Sequence, residues 1–260
     1  MNIGASTSCF YPLETEKALQ KVIDLGFRKA EVFFNTSSEL SDAFTGEMRR
    51  TADANGVRIV SVHPFSSALE NSCIFGEYPR RVEDFIGLYQ QHCHAAAVLG
   101  AKVVVIHGAR DKRKIELPDE VYFERFRRLV ELGKAEGVQV CQENVVLFKS
   151  QHIAFMERMR DALGSDFHMV FDVKQSLRAG YDPFDFLEAM KHHIAHVHLS
   201  DNRMPEADCM PPGRGSFDFP RLFSTLEAAG YPGEYVIEIY SKGYDVEKEL
   251  AFSKQFFDNL

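Results

Sequence analysis

The sequence contains no tryptophan, no Cys-x-x-Cys pair and no long apolar run. Because a membrane helix needs roughly 18 to 20 apolar residues in a row, we expect no transmembrane segment. The stretch MNIGASTSCFYPLE shows no basic region followed by an apolar one, so we expect no signal peptide. The five cysteines are scattered and odd in number, which favours free thiols in a reducing cytoplasm over disulfides or a thiolate zinc site.

The sequence also has fewer basic residues than acidic ones. Lysine and arginine number 30 against 38 aspartates and glutamates, which gives a formal net charge of −8. Nucleic-acid phosphates attract basic surfaces, so an acidic chain without an extended basic run is a poor candidate for nucleic-acid binding. The rest of the composition, 45% hydrophobic and 26% charged, is typical of an ordinary globular protein.

Eight short apolar runs rich in β-branched residues predict β-strands, and stretches with helical spacing separate them. The predicted strands are Ile3–Cys9, Lys29–Phe34, Arg58–His63, Lys102–His107, Gln139–Asn144, Phe167–Asp172, Ile194–Ser200 and Glu234–Tyr240. Strand alternating with helix is typical of a parallel sheet, and eight units of roughly 32 residues suit a closed barrel. A doubly wound open sheet usually shows a glycine-rich loop after its first strand, and this chain has none. We therefore predict an α/β fold, a single (β/α)8 TIM barrel domain spanning residues 1–260.

Charged and imidazole side chains lie at the ends of six of the eight predicted strands. These side chains are His63, His107, Glu143, Asp172, His198 and Glu238. In such a barrel the active site lies at the C-terminal ends of the strands. Burying a charged group without a partner costs several kcal/mol, so the repetition of this pattern predicts an active site there.

Glu143, Asp172, His198 and Glu238 are expected to converge on the barrel mouth. Three carboxylates cannot share a site comfortably unless a cation or protons neutralise them. An oxygen-rich set with one nitrogen suits Mn²⁺, Mg²⁺ or Co²⁺ better than a structural zinc ion. We predict one divalent ion per chain, and the alternative is that nearby arginine or lysine side chains pair with these carboxylates.

Seven segments share their order and spacing with a known group of barrels. They are Val-His-Pro at 62–64, Ala-Ala-Val-Leu-Gly-Ala-Lys-Val-Val-Val-Ile-His-Gly at 96–108, Gln-Glu-Asn at 142–144, Phe-Asp-Val-Lys-Gln at 171–175, His-Val-His-Leu-Ser-Asp at 196–201, Pro-Gly-Arg-Gly-Ser-Phe-Asp at 212–218 and Val-Ile-Glu-Ile at 236–239. In these segments the chain resembles the xylose isomerase-like TIM barrel superfamily of sugar phosphate isomerases and epimerases, which also includes inosose dehydratases and endonuclease IV of AP endonuclease family 2.

The resemblance implies roles for individual residues. The metal ligands of single-metal epimerases correspond to Glu143, Asp172, His198 and Glu238. The same resemblance makes Glu143 and Glu238 the acid/base pair. It makes His63, His107 and Arg203 substrate-binding residues.

Two departures from the family pattern bear on these roles. Members usually show Asp-x-x-His after strand six, whereas this chain has Asp172-Val173-Lys174-Gln175. Gln175 can bind a substrate hydroxyl but cannot carry a proton near neutral pH. We expect Lys174 to be solvated, with contact to a substrate oxygen or phosphate as the alternative. Residues 205–211 contain no histidine, so we expect no trinuclear zinc cluster of the endonuclease IV type.

These inferences predict a cytoplasmic, divalent-metal-dependent isomerase or epimerase that acts on a small sugar or sugar-like ketose. The reaction is expected to remove a proton next to a carbonyl and to pass through an enediolate. The alternatives are a lyase of the inosose-dehydratase kind, an endonuclease IV-like phosphoesterase and a non-catalytic sugar-binding barrel. The sequence leaves the sugar, its phosphorylation and any homo-oligomer open.

Overall fold

Eight parallel strands close into a barrel in the computed structural model, which describes residues 2–111, 117–240 and 243–260. The strands of these residues are β1 Gly4–Ser6, β2 Lys29–Phe33, β3 Arg58–His63, β4 Val103–Ile106, β5 Gln139–Glu143, β6 Met169–Asp172, β7 Ile194–Leu199, β8 Asp201–Arg203, β9 Ala207–Met210 and β10 Glu234–Ile237. The barrel order is β1-β10-β7-β6-β5-β4-β3-β2, and the antiparallel hairpin β8–β9 lies outside it. The predicted α/β class and single (β/α)8 TIM barrel are confirmed.

Helices surround the barrel and cover its outer face. Their bounds are α1 Thr15–Asp24, α2 Asp42–Ala54, α3 Ser67–Glu70, α4 Pro79–Leu99, α5 Asp119–Glu136, α6 Ile153–Leu163, α7 Val173–Arg178, α8 Pro183–Met190, α9 Phe219–Ala228 and α10 Val246–Asp258. Helices α4 and α5 end at Gly100 and Gly137, whose φ values of 79° and 72° are left-handed and favour glycine. Among the described residues, no helix has the length and apolar character needed to cross a membrane.

The first strand is shorter than the sequence predicts. The predicted strand runs to Cys9, whereas β1 ends at Ser6. The Ser6 hydroxyl accepts the backbone N–H of Ser8 at 3.3 Å and starts a 3₁₀ turn over Thr7–Phe10. The serine side chain thus replaces the ladder hydrogen bonds that would continue the strand. The other predicted strands match observed ones, with ends that differ by a few residues at most.

The inside of the barrel is apolar on one side and polar on the other. Strands β4 to β6 contribute a small apolar cluster of Val103, Val105, Cys141 and Val170. Across the barrel, the buried Ser61 hydroxyl donates to Glu31 Oε2 at 2.7 Å and lies 3.1 Å from His196 Nε2. This polar group lies directly beneath the strand ends, because residues two apart on a strand share a face.

One carboxylate fixes the loop that follows the β8–β9 hairpin. Asp201 accepts the backbone N–H groups of Gly213, Gly215 and Phe217 at 2.9, 2.8 and 2.9 Å. A Cβ at Gly215 would lie 2.1 Å from the Asn202 carbonyl oxygen, so only glycine allows this close approach. The loop is therefore held to the base of the hairpin by Asp201.

Candidate active site

Four side chains meet at the C-terminal end of the barrel. Glu143, Asp172, His198 and Glu238 each offer one ligand atom, and these atoms lie within 4.8 Å of one another. All four residues are buried. They come together because β5, β6, β7 and β10 are consecutive in the barrel and run in the same direction. The expected convergence of these residues is present in the structure.

His198 lies between two carboxylate layers. Its Nδ1 is 3.3 Å from Glu143 Oε1, and its Nε2 is 3.0 Å from Glu31 Oε2. Burial lowers the pKa of His198, but the negative charges of Glu31 and Glu238 outweigh burial and hold this pKa well above its ordinary value. Glu31 also orients the imidazole, as a carboxylate behind a metal-ligating histidine does.

Glu31 was not among the site residues predicted from the sequence. The signal was a charged residue in the middle of the run Lys-Ala-Glu-Val-Phe at 29–33, on the inward-facing alternation of β2.

Glu143 is contacted by two further imidazoles. Its Oε2 lies 2.9 Å from His107 Nε2 and 3.8 Å from His63 Nε2, and the two histidine Nε2 atoms are 3.0 Å apart. Burial raises the pKa of Glu143, but the neighbouring imidazoles of His107, His198 and His63 outweigh burial and hold this pKa well below its usual range. His63 is in turn stacked on the Phe33 ring, with centroids 4.7 Å apart. Glu143 is thus held as a carboxylate within reach of imidazole proton donors.

Lys174 is not the solvated lysine that the sequence analysis expects. Its side chain is 0% exposed, and its ammonium donates to Asp172 Oδ2 and to Glu238 Oε2. Burial lowers the pKa of Lys174, but these two carboxylates outweigh it and hold the pKa well above its ordinary value. The expectation was wrong because the burial of Lys174 depends on Glu238, which the sequence places 64 residues away. The alternative stated for the carboxylates, pairing with a lysine, therefore applies to two of the three.

The two carboxylates that contact Lys174 differ in the direction of their pKa shifts. Burial raises the pKa of Asp172, and Lys174 offsets only part of this effect. Burial also raises the pKa of Glu238, but there Lys174 and His198 prevail and the pKa is lowered. Glu238 is therefore the more readily ionised of the pair.

Gln175 and Arg203, both predicted to bind substrate, occupy different surroundings. Gln175 is 7% exposed, and its Oε1 accepts the backbone N–H of Val146 at 3.2 Å. Arg203 lies on β8 with an exposed side chain, and its Nη2 donates to the Arg214 carbonyl oxygen at 2.7 Å. Gln175 is next to the four converging residues because its own N–H donates to Asp172 Oδ1 at 3.0 Å. Arg203 belongs to the hairpin.

Glu70 supports the strand end that carries His107, and no sequence signal pointed to it. This fully buried carboxylate accepts the His107 N–H at 2.9 Å, the Gly108 N–H and the Tyr89 hydroxyl. A Cβ at Gly108 would lie 2.0 Å from the Tyr122 hydroxyl, so this strand end also requires glycine. Glu70 comes from α3, a short helix in the loop after β3, and such contacts between loops leave no local pattern in a sequence.

The converging residues fit a divalent cation. Three carboxylate oxygens and one imidazole nitrogen form a donor set of the kind that Mn²⁺, Mg²⁺, Co²⁺ and catalytic Zn²⁺ accept. Lys174 supplies a single positive charge against the negative charge of Glu143, Asp172 and Glu238. In the metal-free protein a protonated His198 adds to this positive charge, and a divalent ion would take the place of the His198 proton.

Comparisons with known proteins agree with this architecture. The sequence profile of the xylose isomerase-like TIM barrel family matches residues 19–259. The uncharacterised protein MJ1311 of Methanocaldococcus jannaschii is 24% identical over 270 residues, which cover 99% of this chain and 90% of that protein. The L-ribulose-5-phosphate 3-epimerase UlaE of Escherichia coli is 37% identical over 86 residues, which cover 33% of this chain and 27% of that protein.

Solved structures show the same fold over the whole chain. The 3-keto-D-glucoside 4-epimerase YcjR of Escherichia coli superimposes with a TM-score of 0.79 at 18% identity and covers 100% of both chains. The D-allulose 3-epimerase of Methylomonas sp. in complex with D-allulose gives a TM-score of 0.78 at 14% identity, covering 100% of this chain and 96% of that one. At identities of 18% and 14% these two structures establish only the shared fold. The profile match over residues 19–259 establishes the family. The chain belongs to the xylose isomerase-like TIM barrel family.

Proposed function

We propose that this protein is a divalent-metal-dependent epimerase or isomerase of a small sugar or sugar-like ketose. The observation that carries this proposal is the convergence of Glu143, Asp172, His198 and Glu238 within 4.8 Å at the end of the barrel where such folds perform catalysis. The names of the relatives support the same class of reaction, since they include a pentulose-phosphate epimerase, a ketohexose epimerase and a keto-glucoside epimerase.

In the proposed reaction, Glu143 and Glu238 exchange protons with the carbon next to the substrate carbonyl. They extend from β5 and from the end of β10, so they approach the mouth from different strands. The pKa of each is lowered, Glu143 by its imidazole neighbours and Glu238 by Lys174 and His198, in each case against the effect of burial. One glutamate accepts the proton as a base, and the other, which must carry a proton when the substrate binds, donates it to the opposite face and is left ionised.

His63, His107, Gln175 and Arg203 are the proposed substrate-binding residues. His107 Nε2 is 2.9 Å from Glu143 Oε2, and His107 has a raised pKa because the Glu143 carboxylate outweighs the effect of burial. A protonated His107 can donate to a substrate oxygen while it holds Glu143 in place. Glu143, Asp172, His198 and Glu238 would hold the divalent ion, which when bound polarises carbonyl oxygens as a Lewis acid.

We further propose that the protein acts in the cytoplasm on a small molecule and does not act on nucleic acid. The net charge of −8 and the carboxylates at the mouth both oppose an approach by phosphodiester backbones.

Deuterium incorporation tests the proposed proton transfer. The protein, supplied with Mn²⁺, is incubated in D₂O with D-allulose, D-tagatose, D-fructose and L-ribulose 5-phosphate, and the sugars are followed by NMR. We expect deuterium at the carbon next to the carbonyl of at least one sugar, together with its epimer or isomer. Glu143→Gln and Glu238→Gln should each slow turnover by about 10² to 10⁴-fold. The control Glu131→Gln changes an exposed glutamate on α5 and should leave turnover unchanged.

Other outcomes would indicate the alternative functions. A dehydrated product that accumulates would indicate a lyase, since epimers and isomers keep the mass of the substrate. Full activity in either Glu143→Gln or Glu238→Gln would refute the two-glutamate mechanism. Binding of a sugar without any exchange would indicate a sugar-binding barrel.

A further inference from the structure

Lys174 occupies an unusual position for a lysine. It lies on α7 two residues after Asp172, and its side chain is fully buried at the barrel mouth. Lysine is almost never fully buried unless its charge is paired. Its partners are Asp172 Oδ2 and Glu238 Oε2, so the ammonium bridges two strands of the barrel.

The two oxygens that Lys174 contacts also lie close to the candidate nitrogen ligand of a metal ion. His198 Nδ1, the candidate nitrogen ligand, lies 3.7 Å from Asp172 Oδ2 and 3.6 Å from Glu238 Oε2. The other oxygen of Asp172 is engaged as well, because Oδ1 accepts the N–H of Gln175 at 3.0 Å. Asp172 therefore has no carboxylate oxygen without a donor.

A divalent ion and the Lys174 ammonium would compete for the lone pairs of the same carboxylate oxygens, those of Asp172 and Glu238. Carboxylate oxygens lie about 2.0 to 2.2 Å from an ion such as zinc, which is closer than they lie to an ammonium in an ordinary hydrogen bond. Two cations that bridge the same pair of oxygens also repel each other strongly at such short range. Lysine can leave, because its charge is carried on a flexible four-carbon chain. The Tyr240 ring, 42% exposed, lies 5.3 Å from Nζ and provides a neighbouring contact for the cation.

We propose that Lys174 is a positioning residue that holds Asp172 and Glu238 together in the metal-free protein and that a divalent ion must displace from them. This inference rests on the metal dependence proposed above. It implies that the chain folds without metal, because Lys174 neutralises part of the carboxylate charge. It also implies that the affinity for metal is lower than the donor set alone would provide.

The test measures metal affinity in Lys174→Met, which keeps an unbranched side chain, one atom shorter, and removes its charge. The full-length protein is stripped with a chelator, and Mn²⁺ is titrated in by calorimetry. The control Lys149→Met removes a half-buried lysine that pairs with Asp119 at 2.6 Å instead of with Asp172 or Glu238. We expect Mn²⁺ to bind Lys174→Met about tenfold to hundredfold more tightly than the unchanged protein, which is the range over which neighbours of metal ligands act. The control should bind as the unchanged protein does.

Thermal unfolding provides a second measurement. Without metal, Lys174→Met should melt at a lower temperature than the unchanged protein, and Mn²⁺ should raise its melting temperature by more. If Lys174→Met does not fold, Lys174→Gln replaces it in both measurements. An affinity in the variant that is equal to or weaker than that of the unchanged protein would overturn this inference and leave the proposed function standing.

Two remaining outcomes separate the inference from the proposed function. Mn²⁺ binding to Lys174→Met but not to the unchanged protein would support displacement of Lys174 and refute metal dependence of the natural chain. Failure of both proteins to bind Mn²⁺ would overturn the inference and the proposed metal dependence together.

Discussion

His92 on α4 should make the fold sensitive to mild acid. Its imidazole is fully buried, with Nε2 3.4 Å from the Ser66 hydroxyl and the Phe65 and Tyr89 ring centroids 5.3 and 5.5 Å away. Burial and, to a smaller extent, the nearby His63 lower the pKa of His92 to about 3. Among the described residues His92 Nδ1 has no hydrogen-bond partner, so a buried imidazolium is unfavourable and the folded protein keeps this histidine neutral.

The sign and size of the effect follow from the two protonation states. An unfolded histidine has a pKa near 6.5, whereas His92 in the fold has a pKa of about 3. Below pH 6.5 the unfolded chain therefore takes up a proton that the folded chain does not. The contribution of His92 to the free energy of unfolding is fully present above pH 6.5. It decreases by about 1.36 kcal/mol per pH unit as the pH falls below that value. Between pH 7 and pH 5 the loss from His92 is about 2 kcal/mol.

The variant His92→Gln isolates this contribution, because glutamine keeps a polar group near Ser66 and does not titrate. Urea unfolding at pH 7 and at pH 5 gives the change in the free energy of unfolding for each protein. Between pH 7 and pH 5, we expect the free energy of unfolding to fall by about 2 kcal/mol less in His92→Gln than in the unchanged protein. The control His192→Gln alters an exposed histidine and should follow the unchanged protein. Equal pH dependence in His92→Gln and the unchanged protein would refute the argument.

Two further substitutions test other parts of the structure. Asp172→Asn should weaken Mn²⁺ binding at least about tenfold in calorimetry while circular dichroism stays unchanged, because asparagine keeps the oxygen that caps α7; binding of undiminished strength would remove Asp172 from the proposed ligands. Glu70→Leu would leave the Tyr89 hydroxyl and the N–H groups of His107 and Gly108 without their acceptor, at about 1 to 3 kcal/mol each. A free energy of unfolding unchanged in that variant would show that water or other groups replace the carboxylate.

The sequence predicts the barrel and the convergence at its mouth because both depend on local patterns. Apolar runs mark the strands, and the order of strands in a barrel brings their C-terminal ends together without any further information. Glu143 and Asp172 could therefore be placed near one another from sequence alone. Their residue types then predict a cation site, whatever the details of the loops.

The environments of individual side chains could not be predicted in the same way. From its own segment of the sequence, Lys174 is predicted to be a surface lysine. It is buried because the fold brings it against Glu238, which is distant in the sequence. Glu70 likewise gains its function from Tyr89 and from a strand end in another part of the chain. Glu31 differs from these, since alternation along β2 places it inside the barrel and a charged residue in that position indicates a buried network.

The fixing of the 213–217 loop by Asp201 has a consequence for how such a protein can change. The Asp201 carboxylate holds the backbone at Gly213, Gly215 and Phe217. The conformation at the base of the hairpin therefore does not depend on the residues at its tip. Residues 204–206 between β8 and β9 are thus free to vary in length and composition at little cost to the barrel. Mutation can alter the rim next to Arg203 while Glu143, Asp172, His198 and Glu238 stay in place, so under the proposed function this hairpin is a suitable position for engineering a new substrate preference.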